Sequence, residues 1–353
     1  MYKGGSILIQ VRNLTKKYGN FFALNDVSFD IERGKIYGFL GQNGAGKSTT
    51  MNIITGCLSA TSGSVTVDGK DIFAKPLEAK RKIGYLPEIP PLYTEMTPSE
   101  YLEFIAHAKG VDGEDAPRKL REVMEETGIT HVADKLIRNL SKGYRQRVGI
   151  AQALLGDPEI VILDEPTVGL DPRQILEIRE LIRLLGKTKT VILSSHILAE
   201  IQAVCDHILI LSHGRLVADD SITAIEESAR ADMRLCLGVK GESEEALACL
   251  ESIDGVLSAE LTAAEGGICR FSLKIDTEND PRDAIFYALA DRKMPLVDMT
   301  LAHATLEDIF LALTSDEEIE EEEDSTPLDA DDIFLMCSHA GSVENQDKEE
   351  TDE

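Results

Sequence analysis

The chain has no tryptophan, and aromatic residues make up only 5% of its 353 residues. Its six cysteines include no CxxC pair and no metal-ligand spacing, which predicts reduced thiols in a cytosolic protein. The apolar runs are short and bounded, below the ~18 residues of a membrane-spanning helix. The N-terminus lacks the apolar core of a signal peptide. We therefore expect any membrane-spanning part to belong to another chain.

Basic residues are also scarce, since 36 Lys and Arg face 63 Asp and Glu, for a formal net charge of −27. Binding to a phosphate backbone depends on clustered Lys and Arg, so we expect no nucleic-acid partner. The acidic excess is concentrated in residues 315–353, which hold 17 acids and one base. Such a segment is too charged to bury a core, and we predict an acidic disordered tail there.

What the chain does contain is an alternation of strand and helix patterns. Residues 7–40 alternate as strands do, and the apolar runs PEIVILDEP and TVILSSH are typical of buried parallel strands. This order predicts an α/β fold with a covered sheet, spanning residues 1–228 and interrupted by a helical insert at about 95–155. Over residues 229–314 the order βαββαβ predicts a smaller α+β domain of the split βαβ, ferredoxin-like type.

A phosphate-binding loop is predicted at residues 41–49. GQNGAGKST fits G-x-x-x-x-G-K-[ST] and lies between a strand and a helix, the context that distinguishes it from a chance glycine-rich turn. Its backbone N–H groups and the helix N-terminus favour a phosphate chain, Lys47 reaches the terminal phosphates, and the Ser48 hydroxyl ligates Mg²⁺. The predicted nucleotide-binding residues of this loop are Gly41, Asn43, Gly44, Ala45, Gly46, Lys47, Ser48 and Thr49.

Polar residues at the ends of two buried strands are expected to lie beside this loop. Asp164 can hold Mg²⁺ through its water shell. Glu165, the next residue, can polarise an attacking water as a general base. A lone histidine is more often structural, but His196 ends a strand at the edge where ligands of open α/β sheets collect, and can contact the terminal phosphate. Tyr18 lies in a turn, where an aromatic ring can stack on adenine or serve only in packing.

A second anion-binding feature is predicted in LSKGY, residues 140–144. Ser141, the backbone of Gly143 and the N-terminus of the following helix form a cradle for an anion. Ser141 comes 94 residues after Lys47, beyond the helical insert, and we do not expect the insert to fold its tip back onto its own phosphate loop. The anion that suits this cradle would then belong to another subunit.

In this order and spacing, the motifs resemble those of the ATP-binding subunits of ABC transporters. The resemblance covers residues 7–220: the aromatic Tyr18, the Walker A loop, LSKGY in place of the LSGGQ signature, the Walker B run VILDE, the D-loop GLD and the switch His196. It implies that two nucleotide-binding domains face head to tail in a homodimer. Each ATP then lies between the Walker A loop of one chain and the signature of the other.

Two positions depart from the family pattern. Glu88, in IGYLPEIPPLY, stands where the family usually has Gln. The resemblance implies that its carboxylate meets the metal and the nucleophilic water and relays motion to the permease, whereas the simpler reading is an ordinary loop acid. In the signature, Lys142 and Tyr144 replace the usual Gly and Gln, while Ser141 and Gly143 are kept.

The resemblance extends to ATPase subunits that pair with separate export-type permeases, among them bacterial multidrug, polysaccharide and gliding-motility systems. It implies an ATPase that powers an exporter from the inner face of the cell membrane. One alternative is a soluble ABC-type ATPase. Such proteins usually carry tandem ATPase domains, long coiled coils or zinc modules. This sequence has one phosphate loop, no sustained coiled-coil pattern and no zinc-ligand spacing. A nucleotide sensor without turnover is a third hypothesis, which Glu165 argues against.

Overall fold

The computed structural model describes residues 6–225 except 112 and 114, residues 234–302 except 277 and 278, and residues 306–314. The chain divides into two compact units, Met1–Ile222 and Thr223–Glu353. The predicted domain boundary at 228 and the predicted acidic tail both lie outside the described residues. Within the described ranges, no helix combines the length and the apolar character that crossing a membrane requires.

An antiparallel sheet opens the first unit. Its strands are β1 (Ile7–Tyr18), β2 (Phe21–Glu32), β4 (Ser62–Val67) and β5 (Lys70–Asp71). They lie in the order β2-β1-β4-β5, and every pairing is antiparallel. Ile9 and Val11 of β1 are buried in the core, as one face of such a sheet should be. The tight turn between β1 and β2 places Tyr18 opposite Phe21.

A larger mixed sheet forms the centre of this unit. Its strands are β3 (Ile36–Leu40), β6 (Ile83–Leu86), β7 (Ile160–Leu163), β8 (Thr190–Ser195), β9 (His207–Ser212) and β10 (Arg215–Ser221). The order is β10-β9-β3-β8-β7-β6, with parallel pairings except that between β9 and β10. The segments that follow β3, β6, β7 and β8 therefore emerge at one edge, where ligands of parallel sheets bind.

Seven α-helices of the first unit have bounds within the described residues. They are α1 (Lys47–Ile54), α2 (Pro76–Lys80), α3 (Pro98–Ala108), α4 (Ala116–Glu126), α5 (Lys142–Leu154), α6 (Pro172–Gly186) and α7 (Leu198–Val204). Helices α3 to α5 occupy the region of the predicted insert and share their own apolar cluster, which includes Tyr101 and Val148. A capping box between Thr97 and Glu100 begins α3, because each residue's side chain bonds the other's backbone N–H.

The second unit has the predicted βαββαβ order. Its elements are β11 (Arg234–Lys240), α8 (Ser243–Glu251), β12 (Val256–Glu265), β13 (Ile268–Ile275), α9 (Arg282–Asp291) and β14 (Leu296–Ala302), followed by α10 (Leu306–Thr314). The strands form an antiparallel sheet in the order β12-β13-β11-β14. Leu250 and Ile285 of the helices share an apolar core with Phe271 of the sheet. The ferredoxin-like topology is thus confirmed.

A network of ion pairs joins the two sheets of the first unit. Arg33 pairs with both Asp68 and Glu159, and the Lys82 Nζ lies 2.5 Å from Glu159 Oε1 and 3.2 Å from Asp68 Oδ2. The hydrogen bond from Lys82 is the main cause that holds the pKa of Glu159 below its ordinary value, and Arg33 adds to it. The pKa of Asp68 is lowered by Lys82 in the same way.

We expect Glu159→Gln to reduce the free energy of unfolding by about 1 kcal/mol at pH 7, a modest value because these side chains are partly exposed and screened by solvent. A carboxylate whose folded pKa is lowered stabilises the fold above its unfolded pKa of about 4.3 and loses that effect as pH falls through the folded value. Urea unfolding of the wild-type chain and of Glu159→Gln should therefore give a difference in unfolding free energy that is smaller below pH 4 than at pH 7. Glu180→Gln, in an exposed pair with Arg183, is the matched control, and an equal difference at both pH values would contradict the assignment.

Candidate active site

A cleft of about 570 Å³ opens at the edge where the parallel strands end. It is lined by ten of the predicted site residues: Tyr18, Asn43, Gly44, Gly46, Lys47, Ser48, Thr49, Glu88, Glu165 and His196. They come from the β1–β2 hairpin, the phosphate loop after β3, and the segments that follow β6, β7 and β8. Residues far apart in the sequence thus meet at a single site.

The phosphate loop holds its shape through glycines that no other residue can replace without strain. Gly46 has φ 106°, and a Cβ there would lie 2.7 Å from the Ala23 carbonyl oxygen. A Cβ on Gly41 would lie 2.4 Å from the Leu211 carbonyl oxygen. Gly41 and Ala45 do not line the cleft, and the backbone N–H of Ala45 donates to the Gln42 carbonyl at 3.1 Å. Gly41 and Ala45 therefore support the conformation of the loop without facing the cleft.

Lys47 is a buried ammonium at the first position of α1, with 6% of its surface exposed. Its Nζ donates to the carbonyl oxygens of Gly41 at 2.7 Å and Gln42 at 3.2 Å, and lies 3.5 Å from Glu165 Oε1. A cation held this close to the helix N-terminus and the loop N–H groups makes this end of the cleft suited to anions, phosphate groups above all.

The acidic residues at the end of β7 are fixed by a tight set of hydrogen bonds. Asp164 Oδ1 accepts from the Ser48 hydroxyl at 3.1 Å and from the Ser194 hydroxyl at 2.6 Å, and Ser194 Oγ accepts from the backbone N–H of Glu165 at 2.8 Å. Glu165 itself is buried and has φ 46°, a conformation unusual for a non-glycine residue and often found at functional sites. Its Oε2 lies 3.0 Å from His196 Nδ1.

The oxygen atoms of Ser48 and Asp164 are of the kind that Mg²⁺ prefers, and their contact places two possible ligands together. Among the described residues, no group of three or more His, Cys, Asp or Glu side chains could hold a metal ion. Mg²⁺ is usually bound by one or two protein oxygens together with phosphates and water, and Ser48 and Asp164 offer two such oxygens. Glu88 lines the same cleft and presents a further carboxylate.

The outer end of the cleft is aromatic. Tyr18 and Phe21 lie opposite each other across the hairpin turn and are 51% and 64% exposed, and Ala23 lies beside them. Exposed rings at the mouth of a cleft offer a stacking surface for a flat ligand. Sequence reasoning identified Tyr18 but missed Phe21 and Ala23, as well as Ser194. The two-residue period of β2 places positions 21 and 23 on one face and could have indicated them.

The signature residues lie elsewhere on the chain. Ser141 is the N-cap of α5, with its hydroxyl 3.4 Å from the Tyr144 backbone nitrogen, and a Cβ on Gly143 would lie 2.6 Å from Gln174 Oε1. The Lys142 ammonium packs over the D-loop glycine, Gly169. Of the described residues that line the cleft, none belongs to LSKGY. The predicted cradle of Ser141 and Gly143 and the cleft are therefore separate surfaces of one chain.

Known proteins are similar to this chain in sequence. Residues 24–168 match the family model described as ABC transporter. The bacitracin transport ATP-binding protein BcrA of Bacillus licheniformis is 41% identical over 216 residues, which cover 61% of this chain and 70% of BcrA. The linearmycin resistance ATP-binding protein LnrL of Bacillus subtilis is 33% identical over 312 residues, 87% of this chain and 98% of LnrL. The chain belongs to the ATP-binding proteins of ABC transporters.

Solved structures of ABC cassettes agree with this assignment. An ATP-binding subunit of an ABC transporter is 34% identical, covers 63% of this chain and 92% of its own length, and has a TM-score of 0.57. The bacterial cassette MJ0796, solved as a dimer, is 28% identical over 61% of this chain and 99% of its own, with a TM-score of 0.56. The predicted ABC-type fold is confirmed, and this ABC protein is an ATP-binding member of its family.

Proposed function

We propose that this ABC protein hydrolyses Mg·ATP as a head-to-tail homodimer and thereby powers export through a separate membrane permease. The observation that carries the proposal is the meeting of Lys47, Glu165 and His196 at one cleft. Asp164 is joined to the same cleft through its hydrogen bond with Ser48. A phosphate-binding lysine alone serves many nucleotide-binding proteins. A buried carboxylate in contact with both that lysine and a histidine supplies the base that hydrolysis requires.

Each group in the cleft has a role that follows from its position. The loop N–H groups and Lys47 bind the phosphates, and Ser48 with Asp164 would hold Mg²⁺, which neutralises phosphate charge. Glu165 accepts the proton of the attacking water, and His196 holds the terminal phosphate and the orientation of Glu165. Tyr18 stacks on the base. Glu88 lines the same cleft, where its carboxylate would meet the metal and the attacking water and would relay motion to the permease.

Pairing of two chains supplies what one cleft lacks. Ser141 and the Gly143 backbone form an anion cradle that does not line the cleft of its own chain. A head-to-tail partner brings its cradle to the exposed side of the nucleotide, where the hydroxyl and N–H groups contact the terminal phosphate. The solved dimer of the related MJ0796 cassette supports such a pairing.

An exposed apolar surface beside Glu88 supports a permease partner. Ile89 is 82% exposed, and Tyr93 stacks edge-on against Tyr101 at 5.8 Å and lies 5.5 Å from the half-exposed Phe104. Contiguous exposed apolar groups mark interaction sites more often than chance. BcrA and the lantibiotic transport ATP-binding protein SrtF of Streptococcus pyogenes are named as transport proteins, and LnrL is named as a resistance protein. These names favour export by this chain, which would act at the inner face of the membrane.

Replacing Ile89 with Glu tests this coupling. We expect Ile89→Glu to leave the ATPase rate of the purified chain within about twofold of wild type, because Ile89 does not line the cleft. In the native host, the fraction of the chain that sediments with membranes should fall by about tenfold, since a charge buried in an apolar contact is costly. Leu184→Glu, an exposed apolar position on α6, is the control. Unchanged membrane association of Ile89→Glu would contradict docking at this surface.

A further inference from the structure

Glu200 is a buried carboxylate next to the active site that takes no direct part in it. It lies in the first turn of α7 and is 5% exposed. Its Oε2 accepts hydrogen bonds from the Thr167 hydroxyl at 2.5 Å and from the Ser195 hydroxyl at 2.9 Å. No cation in the described part of the chain forms an ion pair with it. The carboxylate is held instead by two hydroxyl groups.

Both hydroxyl groups belong to residues beside the catalytic pair. Thr167 follows Glu165 by two positions, and Ser195 immediately precedes His196. Glu165 Oε2 and His196 Nδ1 are themselves 3.0 Å apart. The chain segments 165–167 and 195–196 are therefore joined at both ends, by the Glu165–His196 contact on the cleft side and by Glu200 on the buried side. Together they form a closed ring.

The two neighbouring serines of β8 donate hydrogen bonds to two different carboxylates. Ser194 donates to Asp164, whereas Ser195, on the opposite side of the strand, donates to Glu200. Thr167 and both serines are themselves buried, so water does not compete for these bonds. Burying a carboxylate without a cationic partner is costly, and a simple helix turn does not require it.

We propose that Glu200 is a positioning residue for ATP hydrolysis, which fixes the distance and orientation of Glu165 relative to His196. The proposal rests on the proposed function, because it assigns Glu200 to the same reaction. Glu200 does not line the cleft and acts through Thr167 and Ser195. A displacement of about 1 Å between reacting groups can lower the rate on the order of 100-fold. This loss explains why the chain would keep a buried carboxylate whose burial is costly.

The length of the Glu200 side chain, and not its charge, should determine how much a substitution lowers kcat. Glu200→Gln keeps an oxygen that accepts from both hydroxyls, and its kcat should stay within about threefold of wild type. Glu200→Asp keeps the charge but shortens the reach, and Glu200→Ala removes the acceptor. We expect both to lower kcat by about 10- to 100-fold with the Kd for ATP unchanged. A kcat that is higher for Glu200→Asp than for Glu200→Gln would overturn the proposal. A loss of ATP binding that parallels the loss of kcat would also overturn it.

Two further comparisons separate positioning from general destabilisation. Thr167→Val should reduce kcat, whereas Thr127→Val should not, because it removes another buried hydroxyl that donates to the Val123 carbonyl within the helical insert. In a His196→Ala background, Glu200→Ala should lower the residual rate by less than about threefold, because the group it positions is gone. The same factor in both backgrounds would indicate a purely structural residue.

A crystal structure of Glu200→Ala provides a readout that does not depend on turnover. We expect the distance between His196 Nδ1 and Glu165 Oε2 to exceed hydrogen-bonding range. An unchanged distance of 3.0 Å would overturn the positioning role. If the wild-type chain fails to hydrolyse ATP, the proposed function is wrong, and the structure of the variant still decides whether Glu200 positions the pair.

Discussion

Glu165→Gln should lower ATP turnover by about 1,000-fold, because a general base typically contributes 100- to 10,000-fold, while ATP binding is retained. The amide has nearly the shape of the carboxylate and can keep the contact with His196 Nδ1. It also removes the negative charge 3.5 Å from the Lys47 ammonium, which leaves that cation free to pair with phosphate. We expect the Kd for ATP to be equal to or lower than that of the wild-type chain.

The same variant should accumulate as a dimer. If ATP closes two chains and hydrolysis reopens them, blocking hydrolysis traps the closed state. Light scattering on a sizing column should show a monomer without nucleotide and a dimer with ATP and Mg²⁺. Glu95→Gln, an exposed acid paired with Arg138, is the control and should behave as wild type. A Glu165→Gln chain that stays monomeric with Mg·ATP would contradict the composite site.

Ser141→Arg should lower turnover by at least about 100-fold, the cost of removing one hydrogen-bond donor from a stabilised anion, with added steric conflict at a dimer contact. The Kd for ATP of the isolated chain should remain within about twofold of wild type, because Ser141 does not line the cleft. Loss of the N-cap on α5 costs about 1 kcal/mol, too little to unfold the unit.

The control for this variant is Ser258→Arg, which adds the same side chain at an exposed position of β12 in the second unit. Turnover is measured at saturating ATP and binding by calorimetry with each variant. An equal loss of turnover and of ATP binding in Ser141→Arg would point to a site contained within one chain.

The parts of this molecule that were predictable from sequence are those encoded by neighbouring residues. The phosphate loop needs its glycines and Lys47 in one short stretch, and the βαββαβ order of the second unit follows from alternating strand and helix periods. Asp164 and His196 were placed at one edge because each ends a buried apolar strand, and the carboxyl ends of parallel strands meet there. Their assigned roles remain predictions.

The parts that were not predictable depend on contacts between distant segments. The sequence around Glu200 does not indicate that the hydroxyl of Thr167, 33 positions earlier, meets its carboxylate beside the hydroxyl of Ser195. Phe21 enters the cleft only because the hairpin register sets it opposite Tyr18. The position of Lys142 over Gly169 likewise depends on how α5 and the D-loop pack. Periodicity gives the face of an element but not the partner that it meets.

The central claim is that each active site is built from two chains, and a mixing experiment tests it most directly. Lys47→Met disables the phosphate loop and leaves the signature intact, whereas Ser141→Arg does the reverse. Each variant alone should be nearly inactive. An equal mixture forms heterodimers in which one of the two sites is complete, so its turnover should recover to up to about a quarter of the wild-type rate if the sites act independently. A mixture no more active than the average of the two separate variants would contradict the shared site.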